Sequence, residues 1–406
     1  MKTIRLGVIG TGSRLQSLLR EAILNCEDVE VNALCDISAK NLQTAAALVE
    51  KLQGRRPALA ATPEELIRNE AVDVVLIGTD WLTHVDYSVM AMRAGKIVGC
   101  EVGGGTTVED CWRLVRAYEE TGTPIMFLEN CCFGREELAA LHMAKLGLFG
   151  EIVHCEGGYC HDCRYLLFDE SIEYNFRLIE AQNRNCEYYP THAMGPLAKV
   201  LGLNRGNRIL SLASFSSAAK GANAYARELG GDAHPLAHAP FLQGDVVTTV
   251  LQCSGGQTVT LTLNTSLPRW YSRCFQVQGT KALFDENSRS VCFAGEEAAW
   301  ERGNMDACLK KYDHPMWKRF VREGMRGQHG GMDGLMIDGF FAANRENRPM
   351  PVDAYDMAML MAITPLSEQS IALGGAPVPF PDFTAGRWMC REREEAWPYS
   401  LIHMYD

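Results

Sequence analysis

The densest chemistry in the chain lies at Tyr188-Tyr189-Pro190-Thr191-His192-Ala193-Met194-Gly195-Pro196. Pro190 fixes the backbone ahead of a helix, Thr191 suits its N-cap, and His192 falls in the first turn. A histidine there feels the positive end of the helix dipole, which disfavours imidazolium. Neutral imidazole accepts a proton, so His192 reads as a general base or polarising group. The plainer reading is a histidine satisfied by packing. Three further groups are candidates to meet it. Gly157-Gly158-Tyr159, with His161 and Arg164, closes one strand. Pro268-Arg269-Trp270-Tyr271-Ser272-Arg273 opens a later one, and His329-Gly330-Gly331-Met332-Asp333 leads into a helix. Aromatic faces with Arg and His donors suit a sugar ring, which has apolar C–H faces and a hydroxyl rim.

A second constellation fills the first 36 residues. Ile4 to Ile9 is a short apolar run, Gly10-Thr11-Gly12-Ser13-Arg14 a tight turn, and Leu15 to Asn25 amphipathic at helical spacing. Val29 to Leu34 is a second strand, and Asp36 follows it. Strand, glycine turn, helix, strand and acid is the order of a dinucleotide-binding unit. Gly10 and Gly12 let the backbone approach a pyrophosphate, and the helix N-terminus offers it unpaired N–H groups. Asp36 is placed to accept hydrogen bonds from an adenosine ribose. Its charge would repel a 2′-phosphate, which favours NAD over NADP. Leu15 stands where the third glycine of such a turn is usual. The competing reading is a doubly wound domain with another ligand or none.

These groups need elements to hold them. Helices are expected over Ala39–Leu52, Pro63–Asn69, Val85–Ala94 and Val108–Thr121. They alternate with strands at 72–77, 97–100 and 125–128, which builds a parallel sheet. Gly78 to His84, Glu101 to Gly105 and Glu129-Asn130 each sit just beyond a strand's C-terminal end, the ligand-binding edge of open α/β sheets. After about residue 150 the character changes. Glu151–Tyr159, Arg208–Phe215, Asp245–Cys253, Gln257–Thr265 and Arg273–Gly279 read as strands with few helices between them, which predicts an antiparallel sheet. Helices Glu136–Lys145 and His192–Leu201 are expected to cover one face. Residues 218–241 read as a mobile excursion or interface arm. Two late helices, Asp333–Ala343 and Ala354–Leu373, and a tail at 376–406 complete the chain. The expected fold is α/β followed by α+β. A doubly wound Rossmann domain at 1–130 precedes a substrate domain at 131–406 on a predominantly antiparallel open sheet, with the late helices and tail free to pack back on the first domain.

Composition excludes several classes. The 406 residues carry a formal net charge of −11, which argues against nucleic acid or an anionic membrane as partner. The chain lacks a run of 18 apolar residues, so no membrane span is expected. The first strand begins too early for a signal peptide, and the 15 cysteines read as reduced thiols, so a cytoplasmic protein is expected. Cys160-His161-Asp162-Cys163 has metal-ligand spacing, but a structural zinc site needs a second pair, so no metal is expected. An exposed antiparallel face predicts a homo-oligomer.

Taken together, these residues resemble the Gfo/Idh/MocA group of nicotinamide-dependent sugar enzymes. The Glu-Lys-Pro triplet usual in that group reads Glu101-Val102-Gly103 here, without its lysine. Leu128-Glu129-Asn130-Cys131-Cys132, Tyr189-Pro190-Thr191-His192, Arg269-Trp270-Tyr271-Ser272-Arg273, His329 to Asp333 and Pro365-Leu366-Ser367-Glu368 are similar to glycoside hydrolase family 109, over nearly the whole chain. The resemblance implies an NAD-dependent glycosidase of the α-N-acetylgalactosaminidase type. It implies cofactor contacts at Ser13, Arg14, Asp36, Trp81, His84, Glu101, Val102 and Asn130, and sugar contacts at Tyr159, Arg177, Tyr189, His192 and Tyr271. Thr191 and Glu129 join the substrate set, Glu129 to orient hydroxyls. The implied route is transient oxidation at C3, elimination across C1 and C2, water addition and hydride return, with His192, Tyr189 and Tyr271 as the catalytic candidates. The partner implied is a small glycoside or oligosaccharide. Two rivals use the same residues: a sugar 3-dehydrogenase that releases its ketosugar, and a non-catalytic NAD-binding sensor.

Overall fold

A computed structural model describes residues 3–169, 172, 175–295, 302–391 and 396–404. The chain packs as two compact units. One comprises Met1–Leu138, Asp313–Met361 and Glu392–Asp406; the other comprises Ala139–Tyr312 and Ala362–Arg391.

The first unit is built on a six-stranded parallel sheet. Its strands are β1 (Ile4–Ile9), β2 (Val29–Cys35), β3 (Ala58–Leu59), β4 (Val74–Ile77), β5 (Ile97–Cys100) and β6 (Ile125–Phe127), in the order β3-β2-β1-β4-β5-β6. The order reverses at β1, so the crevice beyond the strand ends opens there. All four residues of β4 are buried, as expected where helices cover both faces. The intervening helices start where capping chemistry allows. Ser38 accepts from the Asn41 N–H, Thr62 from the Glu65 N–H, and Thr107 with Asp110 forms a reciprocal capping box. The helix expected over Leu15–Asn25 instead runs Ser13–Glu21 and tightens to a 3-10 turn at Ile23–Asn25, because Ala22 leaves helical geometry. The helix Met332–Glu346 belongs to this unit and sets the Phe340 ring against Gly99 of β5.

The second unit carries an eight-stranded sheet of β7 (Ile152–Cys160), β8 (Ile209–Ser216), β9 (Val246–Cys253), β10 (Thr258–Asn264), β11 (Gln276–Gly279), β12 (Ala282–Asp285), β13 (Ser290–Phe293) and β14 (Val378–Pro379), ordered β13-β12-β11-β7-β10-β9-β8-β14. Strict alternation of burial along β10 marks a sheet with one packed face. Every neighbouring pair is antiparallel except β7 and β10, which run parallel and make the sheet mixed. The helix Thr191–Val200 lies against β7.

Two expectations need correction. Residues 218–241 hold a docked helix, Gly221–Gly230, rather than a mobile arm. The Asp245 carboxylate accepts the Lys220 and Gly221 N–H groups, and Asn223 donates to Leu236 O and Ala239 O, so distant acceptors hold an Ala- and Gly-rich stretch in place. β11 begins at Gln276 rather than Arg273, because Cys274 takes a left-handed backbone (φ 50°). The tail adds the edge strand β14 to β8, and Trp397 is buried. Among the described residues, no helix is long and apolar enough to cross a membrane.

Candidate active site

In the first unit the glycine turn follows β1. Gly10 has φ 82°, and a Cβ there would lie 2.5 Å from Gly78 O, so only glycine fits. Gly12 is the N-cap of the helix Ser13–Glu21. No side chain caps it, and nothing lies within 4 Å of where its Cβ would stand. Ser13, the first helical residue, is exposed. Leu15 packs into the space of a missing side chain at Gly78, where a Cβ would lie 1.9 Å from Leu15 Cδ2. The close helix–strand approach usually given by a third glycine is thus provided from the partner side. Asp36, just past β2, accepts the Thr11 N–H and, at 3.0 Å, Thr11 Oγ1 on its Oδ2, and the Ser38 N–H at 2.7 Å on its Oδ1, which keeps capacity for a further donor.

Arg14 is the hub of a buried charge network. Its Nε donates to Glu101 Oε1 at 2.9 Å, and its two terminal nitrogens grip Asp333 at 2.7 and 3.0 Å. Asn130 Nδ2 donates to Asp333 Oδ1 at 2.8 Å, and His329 Nδ1 lies 2.9 Å from Asp333 Oδ2. Burial alone would raise the Asp333 carboxyl. The hydrogen bonds from His329 and Arg14 outweigh it and hold the group well below the usual carboxylate range. His329 and Asp333 therefore take part in the Arg14 network of the first unit. Beyond β4, burial lowers the His84 pKa against the pull of its carbonyl partners. The two ring nitrogens each lie 3.2 Å from a carbonyl oxygen, Gly103 and Thr79, so a neutral ring satisfies one of them. Trp81 is buried, and its indole occupies the space where a Gly103 side chain would stand. Val102, at the lysine position of the Glu-Lys-Pro triplet, is buried and offers no amine. Glu129 is fully buried beyond β6 and accepts the Cys131 N–H at 3.1 Å.

In the second unit the sugar candidates share one cluster. The rings of Tyr159 and Tyr189 lie 4.3 Å apart between centroids, and His192 lies 4.9 Å from Tyr189 and 5.6 Å from Tyr159. His161 extends the set: its ring is 5.2 Å from Tyr271, and its Nδ1 lies 3.4 Å from the Tyr159 hydroxyl. The Arg177 guanidinium stands 5.4 Å from the Tyr189 ring centre. Tyr159 is buried and its phenol is pushed up by that burial, whereas Tyr271 is 47% exposed. Arg164, expected near this group, pairs instead with Asp162. Pro190, not Thr191, is the N-cap of the helix Thr191–Val200. The Thr191 hydroxyl, buried inside the first turn, has no hydrogen-bond partner among the described residues.

The segment that presents Tyr189 and His192 is tied down from behind. Glu187 N–H donates to Ser367 Oγ at 2.8 Å, Thr364 Oγ1 donates to Glu187 O at 3.0 Å, and Arg184 pairs with Glu368. The Pro365-Leu366-Ser367-Glu368 stretch thus works as an anchor. The Glu187 carboxyl, missed by sequence reasoning, is fully buried and pushed up to about 8 by burial, against a hydrogen bond from the Tyr189 N–H. Its one sequence signal is an acid directly before an aromatic pair. Asp333 and His329 were legible as a motif but not as partners of Arg14, more than 300 positions away.

Residues 133–390 match the C-terminal domain of glycosyl hydrolase 109, and residues 4–128 match the oxidoreductase family with an NAD-binding Rossmann fold. The chain is 39% identical to an alpha-N-acetylgalactosaminidase of Tannerella forsythia, over 96% of this chain and 88% of that one. It is likewise 39% identical to a glycosyl hydrolase family 109 protein of Stenotrophomonas maltophilia strain K279a, over 96% and 91%. A levoglucosan dehydrogenase solved with NADH and levoglucosan shares the fold, with a TM-score of 0.68 at 18% identity over 94% of this chain and 100% of that one.

Proposed function

The chain belongs to glycosyl hydrolase family 109 and is a glycoside hydrolase, and from that premise we propose that it cleaves an α-N-acetylgalactosaminide or a related glycoside by transient oxidation of the sugar. The observation that carries this reading is the cluster of Tyr159, Tyr189, His192, His161 and Tyr271 beside Arg177. It offers phenol, imidazole and guanidinium groups, which hold sugar oxygens and move protons, in place of the carboxylate pair on which most glycosidases rely.

The first unit fits a nicotinamide dinucleotide. The uncapped helix N-terminus at Gly12, with open space before it, suits the pyrophosphate, and Asp36 suits the ribose of NAD. Gly10, Gly12, Ser13 and Arg14 would hold the phosphates, and Trp81, His84, Glu101, Val102 and Asn130 the remainder. Bound NAD would supply a hydride store that takes the C3 hydrogen and gives it back, so turnover leaves no net redox change.

Around that exchange, His192 takes the proton of the 3-hydroxyl. The carbonyl so formed acidifies the C2 hydrogen, and the phenolate oxygen of Tyr189 or Tyr271 takes it up as a proton, becoming the phenol. The electron pair left at C2 forms the C1–C2 double bond and expels the aglycone oxygen. Water adds at C1, the C2 proton returns, and His192 restores the hydroxyl proton. Arg177, Thr191 and Glu129 position the sugar.

Hydrolysis of p-nitrophenyl α-N-acetylgalactosaminide in D₂O, without added cofactor, tests this. Release of nitrophenol with deuterium at C2 of the recovered sugar is expected. Hydrolysis with no deuterium at C2 would overturn the elimination route, and stoichiometric accumulation of reduced nicotinamide with a ketosugar would make the protein a dehydrogenase.

A further inference from the structure

Cys160 ends β7, and Cys274 lies two residues before β11. Their sulfurs are 3.7 Å apart. The backbones around them are locked together: Cys160 N–H donates to Ser272 O at 3.1 Å, Ser272 N–H to Cys160 O at 2.9 Å, and Gly158 N–H to Arg273 O at 2.6 Å. The left-handed backbone at Cys274, uncommon for any residue other than glycine, interrupts the strand at this point. An S–S bond needs about 2.04 Å, so the sulfurs have only about 1.7 Å further to travel.

The two thiols are not equivalent. Cys160 is fully buried, while Cys274 is only half-buried. The Sγ–Sγ contact with Cys160 holds the Cys274 thiol below the usual range. Its burial opposes this, and Ser272, Asn287 and the Arg269 charge add to it. Cys160 is held correspondingly above. A low, half-buried thiol backed by a buried one is the arrangement of a reactive cysteine and its resolving partner.

We propose that Cys160 and Cys274 form a thiol–disulfide exchange site that takes a small-molecule disulfide as co-substrate. The Cys274 thiolate attacks one sulfur of R–S–S–R, forming Cys274–S–S–R and expelling R–S⁻. The Cys160 thiol then gives up its proton to the expelled thiolate and attacks the Cys274 sulfur, releasing a second R–S⁻. Two protein thiols are oxidised to one disulfide, and R–S–S–R is reduced to two thiols. The bridge would join the end of the strand that carries Tyr159 to the segment that carries Tyr271, so the modification sits beside the sugar cluster without using any of its groups.

The test treats the full chain with oxidised glutathione under native conditions, blocks the remaining thiols with iodoacetamide, and maps peptides by mass spectrometry. The wild type is expected to give a Cys160–Cys274 cross-link with loss of two hydrogens, and Cys160→Ser to accumulate the glutathione adduct on Cys274 at about tenfold the wild-type level. Separately, iodoacetamide at pH 7 is expected to alkylate Cys274 about tenfold faster than the exposed Cys292. A persistent Cys274 adduct in the wild type without cross-link overturns the proposal, as does a Cys274 that stays unmodified. The wild-type cross-link decides the matter even if Cys160→Ser fails to fold.

Discussion

Arg14 connects two carboxylates and, through Asp333, an amide and an imidazole, so removing one member strands the others. Asp333 is almost fully buried and receives donors from Arg14, Asn130 and His329. Asp333→Asn keeps the shape but removes the charge that balances Arg14. The expected loss is about 3 kcal/mol of stability, as for other broken buried pairs, seen as an earlier thermal transition. Because the folded carboxyl is held below its unfolded value, the Asp333 contribution is complete at neutral pH and fades as pH falls through the acid range. The wild type should therefore lose its margin over Asp333→Asn on acidification. A margin constant from neutral to acid pH would remove the charge network as the cause.

At the scale of elements, the β1 turn separates two roles that a glycine motif merges. Gly10 is required by the fold: its φ is positive and a Cβ would strike Gly78 O. Gly12 has an ordinary φ of −65° and open space around it. Gly10→Ala is expected to lower both melting temperature and NAD affinity. Gly12→Ala is expected to leave stability within about 0.5 kcal/mol while weakening NAD at least about tenfold, because the new methyl fills the space before the uncapped N–H groups. Calorimetric titration of both variants separates the outcomes, and unaltered affinity in Gly12→Ala would rule out that helix end as the phosphate seat. The long helix Ala354–Ala372 has a comparable division of labour, since Thr364, Ser367 and Glu368 in its second half act as the backing for Tyr189 and His192.

At the scale of the whole molecule, the stability of the chain should carry the signature of one buried acid. Glu187 holds its proton to about pH 8 when folded and loses it near its ordinary value, about 4.3, when unfolded. Between those values the folded chain binds a proton that the unfolded chain does not. The Glu187 contribution is thus complete below the unfolded value and declines as pH rises toward 8, by roughly 5 kcal/mol in all. The melting temperature should fall more steeply from pH 5 to pH 8 in the wild type than in Glu187→Gln. Parallel curves would show that the acid is not proton-bound in the fold.

What the sequence by itself determined is what local periodicity and turn chemistry encode. β1, the glycine turn and Asp36 follow one another within 36 residues, and the helix Val108–Thr121 has both ends marked, by Thr107 and Gly122. The aromatic and histidine motifs were legible as sugar chemistry because residue type alone carries it. Only the tertiary structure decided which of them meet. It joined Arg14 to Asp333, Glu187 to the helix that anchors it, and Cys160 to Cys274, and it docked 221–230 through Asp245. These pairings span from 24 to more than 300 positions. No periodic pattern runs that far, because the contacts arise from packing of whole elements rather than from neighbours along the chain. The parallel pairing of β7 with β10 has the same origin: either strand's alternation fits either direction, and only the crossovers of the folded unit select one.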